Sequence, residues 1–132
     1  MKKTALLFAL ILALGCSLSA QKTPPTAVVT AFNQRFPNMK DVDWGLEKNG
    51  QWEAEFDQNG VDMSADFSAE GTWLETETEI KVADLPAAVK TALNGKKVKE
   101  AARIQRADGS TVYEAEVRRK DLLFDASGKM VN

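Results

Sequence analysis

The chain has 132 residues with 17 Lys and Arg, 19 Asp and Glu, one Cys and no His, for a net charge of −2. The lack of His excludes the usual general base near neutral pH, Ser–His–Asp and Cys–His nucleophiles, and His-based zinc sites. A single Cys excludes an internal disulfide, so packing must hold the fold together.

Residues 1–20 read as a secretory targeting segment. Lys2 and Lys3 precede an apolar run from Ala5 to Leu14 and a small-residue stretch ending at Ala20. The run is too short for a permanent membrane span and fits a signal peptide. Cleavage after Ala20 would free residues 21–132 as one domain without Cys. Gly15-Cys16 offers an alternative, a lipoprotein signal in which acylated Cys16 tethers the domain to a membrane.

A first helix is predicted to open near Pro25, after the capping candidate Thr23, and to stop at Phe36-Pro37. Val28, Phe32 and Phe36 recur along it at helical spacing. Strands follow. Val42, Trp44 and Leu46 share one face, and Asn49-Gly50 marks a hairpin turn. Trp52, Ala54 and Phe56 alternate with Glu53, Glu55 and Asp57. Past Asn59-Gly60, Val61, Met63, Ala65 and Phe67 alternate with Asp62, Ser64 and Asp66. A further strand runs from Gly71 to about Ile80. A second helix carries Leu85, Val89 and Leu93, with Asp84 as its capping candidate, and stops at Asn94-Gly95. Shorter strands then turn at Asp108-Gly109 and Arg119-Lys120, and a closing strand follows Gly128.

The second series echoes the first. Residues 25–33 match residues 86–94, and Trp52-Glu53-Ala54-Glu55-Phe56 matches Tyr113-Glu114-Ala115-Glu116-Val117, both at an offset of 61. Phe67-Ser68-Ala69-Glu70-Gly71 matches Phe124-Asp125-Ala126-Ser127-Gly128 at an offset of 57. The expected fold is α+β, an antiparallel sheet of seven or eight strands with two short helices on one face. It is formed by two tandem α-β-hairpin repeats, about 25–80 and 84–132, within a single domain 21–132. One apolar and one polar face per strand indicates a sheet covered on one side only.

These residues resemble the PepSY-like, beta-lactamase-inhibitor-like family of periplasmic proteins. The likeness lies in Ala31-Phe32-Asn33-Gln34-Arg35-Phe36-Pro37, the Val42-x-Trp44 and Trp52-to-Phe56 strands, the Phe-x-Ala-x-Gly turns and Asp84-Leu85-Pro86, and covers residues 25–131. It implies an exported α+β protein with tandem helix-and-hairpin repeats. It also implies a sheet face like the one that inhibitor proteins of this architecture use to hold a target. Fold likeness does not by itself carry inhibition over to this chain.

The remaining chemistry is that of carboxylates. Acids alternating along a small sheet make a poor sugar cleft, so the chain is read as non-catalytic. Glu53-Glu55-Asp57 and Glu75-Glu77-Glu79 supply hard oxygens, yet no loop has calcium-binding spacing, and neither a metal site nor a cofactor is expected. Charge divides along the chain. Residues 21–80 hold 12 acids and 4 bases, whereas residues 81–132 hold 7 acids and 11 bases. Lys96, Lys97, Lys99, Arg103 and Arg106 lack interleaved aromatics, so nucleic acid is not an expected partner.

The open face is expected to carry Glu53, Glu55, Asp57, Asp62, Asp66, Glu75 and Glu77. Trp73 is read there as an exposed aromatic anchor, and Arg118, with Glu114 and Glu116, as part of the same surface. This arrangement suits a protein or peptide partner of cationic character. The same residues also suit a merely solvated face. The expected function is an exported binding protein, of which an inhibitor of an envelope enzyme is one form. The alternative is an envelope-tethered structural or cation- or polymer-binding component, with membrane contact only through lipidated Cys16.

Overall fold

A computed structural model describes residues 23–131. The expected targeting segment and Cys16 lie outside the described residues. Helix α1 (Thr26–Arg35) is followed by strands β1 (Asp43–Leu46), β2 (Trp52–Gln58), β3 (Val61–Phe67) and β4 (Trp73–Ile80). A 3-10 turn at Val82–Asp84 leads into α2 (Ala87–Leu93), then β5 (Ala101–Arg106), β6 (Thr111–Val117) and β7 (Lys120–Phe124). The seven strands form one antiparallel meander in sequential order. Among the described residues no strand follows Gly128: Met130 forms an isolated bridge with Phe124, and the Val131 amide donates to the Leu123 carbonyl at 2.9 Å.

Both helices begin differently from the expectation. Pro25 and Pro86 occupy the N-cap positions in extended conformation, and neither has a side-chain cap. The helices are ten and seven residues long, too short to persist alone in water. They are held by what they bury. Val28, Phe32 and Phe36 of the first helical segment meet Trp52, Ala54, Phe56, Ala65 and Phe67 in one core cluster. Phe32 sits at its centre, edge-on to Trp44, Phe56 and Phe67, at centroid distances of 5.3, 5.1 and 6.3 Å. Such tilted contacts add to simple area burial. Leu85, Val89 and Leu93 make a second cluster with Ala101, Ala115, Val117 and Phe124.

Two glycines let the sheet approach the helices. A Cβ on Gly71 would stand 2.6 Å from the carbonyl oxygen of Ala27, and one on Gly128 would meet the carbonyl of Ala88 in the same way. Both glycines also have positive φ, +89° and +83°, which disfavours side chains on separate grounds. Each therefore fixes where a β-turn meets the helix of its own half.

Two local features differ from the sequence expectation. Asp66 pairs with Glu75 but Phe67 pairs with Trp73, so the β3–β4 ladder shifts register and Leu74 is the extra residue. The bulge reverses the parity of the start of β4. Trp73 thus lies on the helix-covered face, packed against the first cluster, rather than on the open face. Its Nε1 donates to Thr76 Oγ1 at 2.9 Å, and the Arg35 guanidinium lies 3.4 Å from its ring centre. At the other end, Val117 pairs with Lys120, so the turn is Arg118-Arg119 and not Arg119-Lys120. Both turn residues are left-handed, at φ 52° and 63°, the pattern of a two-residue hairpin turn. Arg118 therefore projects from a turn and does not join the open face.

Candidate functional site

The ladder registers lay out the uncovered face row by row. Asp43, Glu55, Ser64, Glu77, Ile104 and Val112 face one another across six strands. Beside them run Glu53, Asp66, Glu75 and Arg106. Glu114 opposes Leu123, and Glu116 opposes Asp121. Carboxyl groups thus stand on β1 to β4 and again on β6 and β7, interrupted at β5, although the second half of the chain is basic overall.

The middle of this face is a depression of about 380 Å³. Seven carboxyl groups line it, from Glu47, Glu53, Asp66, Glu75, Glu77, Glu114 and Asp121, with Arg106 as its one cationic residue. Leu74, Ile104 and Leu123 supply its apolar wall and Ser64, Asn49 and Gln51 its neutral polar groups. The bulge is responsible for Leu74, because the same extra residue that withdraws Trp73 turns Leu74 toward the open side.

The site is more buried than an ordinary solvated sheet face. Glu77 is only 6% exposed and its Oε1 has no hydrogen-bond partner. Oδ1 of Asp66 is likewise buried without a partner. The Arg106 Nε stands 3.4 Å from Glu75 Oε2 and leaves the other acids unneutralised. Burial, followed by repulsion from Glu114, Glu75, Glu53 and Asp121, pushes Glu77 up to about 10. Burial and the neighbouring Asp66, Glu55 and Glu47 raise Glu53 to about 8. Burial and nearby acids likewise bring Asp66 and Glu114 each to about 7. A medium that disfavours charge and a crowd of like charges act in the same direction here. A cation entering the depression would reverse that balance, giving the carboxylates a partner and releasing protons.

Of the expected site residues, Glu53, Asp66, Glu75 and Glu77 meet in the depression. Glu55, Asp57 and Asp62 share its face but lie outside it, and Asp57 is occupied in accepting the Gly60 amide at 2.8 Å. Glu47, Arg106, Asp121 and the apolar trio were not anticipated as site residues. Alternation along β6 and β7 was the available signal for Asp121 and Leu123. The basic cluster read from the sequence is dispersed: Arg106 joins the acidic face, while Lys99 reaches Glu100 at 3.4 Å and Glu116 at 3.7 Å. Among the described residues, no group of three or more His, Cys, Asp or Glu is disposed to hold a metal ion.

A two-helix, seven-strand meander with one bare acidic face defines an open-faced α+β protein. Residues 46–132 match the family described as "Putative beta-lactamase-inhibitor-like, PepSY-like", and the chain belongs to that family. The fold is shared with solved structures from Bacteroides. A BLIP-like protein from Bacteroides fragilis is 26% identical with a TM-score of 0.68, over 84% of this chain and 85% of that one. A structure described as "putative periplasmic proteins" from Bacteroides eggerthii is 20% identical with a TM-score of 0.74, over 84% and 88%. A DUF2874 family protein from Bacteroides uniformis is 21% identical with a TM-score of 0.73, over 83% and 88%. No curated protein matches the chain.

Proposed function

We propose that this is an exported, non-catalytic binding protein whose open sheet face docks on a basic surface of a protein or peptide partner. The observation that carries this reading is the acidic depression itself, seven carboxyl groups with one arginine on a face that no helix covers. A protein that needed only solubility would gain it from acids in full contact with water. Burial instead holds Glu53, Asp66, Glu77 and Glu114 above the usual carboxylate range, an arrangement that a cationic partner would relieve. Family membership favours an inhibitor-like role, with capture of an envelope enzyme as one form.

Export is part of the same proposal. It is supported by the Lys2-to-Ala20 pattern and by the periplasmic description of the Bacteroides eggerthii structure. Cleavage after Ala20 would release domain 21–132, whereas lipidation of Cys16 would hold the same face at a membrane. We also read the halves as two copies of one α-β-hairpin unit. The matching contacts Gly71–Ala27 and Gly128–Ala88 support this, as do the matching pairs Phe67–Trp73 and Phe124–Met130.

The test is capture from the native envelope fraction with wild-type protein and with the double variant Glu55→Lys, Glu79→Lys. Both positions lie on the open face outside the depression. The expected result is a protein retained by wild type, released by raised salt, and not retained by the double variant. Retention that is indifferent to both salt and charge reversal would overturn the docking reading.

A further inference from the structure

We propose that the floor of the depression, above Glu77, is a seat for one lysine side chain of the partner, its ammonium held by Glu77 and Asp66 and its stem by Leu74, Ile104 and Leu123. The inference rests on the docking reading and specifies what occupies the centre of that interface.

Three observations converge on it. Glu77 is more than nine-tenths buried, lines the depression and keeps one carboxyl oxygen without a hydrogen bond. A buried acceptor left open in this way costs free energy, and a donor arriving from outside recovers it. Asp66, diagonal to Glu77 across the β3–β4 ladder, contributes a second open oxygen. Single acceptor atoms on different strands suit the independently directed donors of an ammonium better than the coplanar fork of a guanidinium.

The apolar wall supplies the second half of the argument. A metal ion or a bare ammonium would gain nothing from three aliphatic side chains beside the acids. A lysine has four methylenes to lay against them, and charged heads on apolar stems partition in just this way. The surrounding charges, Glu53, Glu75, Glu114 and Asp121 with the single Arg106, leave a net negative setting for the incoming ammonium.

The experiment uses the protein purified from the envelope fraction and follows the Glu77 carboxyl carbon by NMR at constant ionic strength. The probes are the Nα-acetyl methylamides of lysine, arginine and norleucine, with calcium chloride as a fourth titrant. The lysine probe is expected to shift the Glu77 resonance saturably, and the norleucine probe to leave it unmoved. Glu77→Gln should weaken the lysine probe at least tenfold, read from backbone amides of β4 and β5, whereas Glu70→Gln, in the β3–β4 turn, should leave it unchanged. Equal response to norleucine, stronger response to arginine or calcium, or unaltered binding by Glu77→Gln would overturn the assignment. If the lysine probe fails while Glu55→Lys, Glu79→Lys still abolishes capture, the docking reading stands and the lysine seat falls.

Discussion

The two halves of the molecule use one arrangement with different contents. Under α1 the core is aromatic, with Phe32, Phe36, Trp52, Phe56 and Phe67 in contact. Under α2 the core is largely aliphatic, built on Leu85, Val89, Leu93 and Val117 with Phe124. Where the first half has the full strand β4, the second ends in a single bridge at Met130. The halves also differ in charge, at −8 for residues 21–80 and +4 for residues 81–132. Yet the open face is acidic across both, because Glu114, Glu116 and Asp121 face it while Lys96, Lys97, Arg118 and Arg119 stand in loops and turns. Charge polarity in the folded protein therefore separates a face from its surroundings, and not one half from the other.

If the halves were independent modules, damage to one would spare the other. Their sheets are joined by continuous pairing of Glu75–Ile80 with Ala101–Arg106, which argues for one cooperative transition. Trp44, Trp52 and Trp73 all lie in the first half, so tryptophan fluorescence reports on that half alone. Phe124→Ala, which empties the core under α2, is expected to lower stability by about 3–5 kcal/mol. It should move the tryptophan transition in urea as far as the circular-dichroism transition. A tryptophan transition left in place would break the joined-sheet account.

The glycine contacts give a finer comparison. Gly71→Ala and Gly128→Ala each force a side chain against a helix carbonyl at positive φ, with an expected cost of about 2–4 kcal/mol. Gly109 has φ +87° but open space around its would-be Cβ. Gly109→Ala should therefore cost only about 1 kcal/mol, from backbone conformation alone. Equal losses at all three positions in denaturant melts would remove the close helix approach from the explanation.

Much of this fold was legible because the signals are local. Alternation placed Trp52, Ala54, Phe56 and Phe67 in the core, helical spacing placed Val28, Phe32, Val89 and Leu93, and Asn59-Gly60 announced its turn. The failures occurred where local rules gave way. A bulge adds one residue without a composition signal, so parity carried forward to Trp73 put it on the wrong face. Arg118-Arg119 adopts a left-handed turn without Gly or Asn, the residues that normally mark one. Parity did place Glu77 on the open face. It could not reveal that Glu77 would be buried there, which depends on the shape of the whole sheet around a central strand.

Ionisation offers a contrast between the open face and the rest of the surface. The folded state raises Glu77 to about 10, Glu53 to about 8, and Asp66 and Glu114 to about 7. An acid raised on folding binds more protons in the native state than in the unfolded one. Stability is therefore greatest near the unfolded carboxyl range and falls as pH rises from about 4.5 through these values. The melting temperature is expected to decline steadily between pH 5 and pH 9. Glu77→Gln removes the largest contributor and should stabilise the protein by about 1–3 kcal/mol at pH 7. Its advantage should vanish near pH 4, where the glutamic acid is neutral in both states. A stabilisation that did not depend on pH would assign the effect to packing.

The smallest expected effect concerns the residue whose face the sequence misplaced. Trp73 is half-buried on the helix side, with Arg35 stacked on its ring and Thr76 accepting from its indole. Because Arg35 is exposed, the stacking is worth about 0.5–1 kcal/mol. A double-mutant cycle with Arg35→Gln and Trp73→Leu isolates that interaction from the loss of buried area. The expected coupling lies within that range and persists at high salt, since the attraction is short-range and partly dispersive. Trp73→Leu should also leave capture of a basic partner intact, because the ring lies on the opposite side of the sheet from the acidic depression. Loss of capture without loss of stability would return Trp73 to the binding surface and detach partner recognition from the carboxylates.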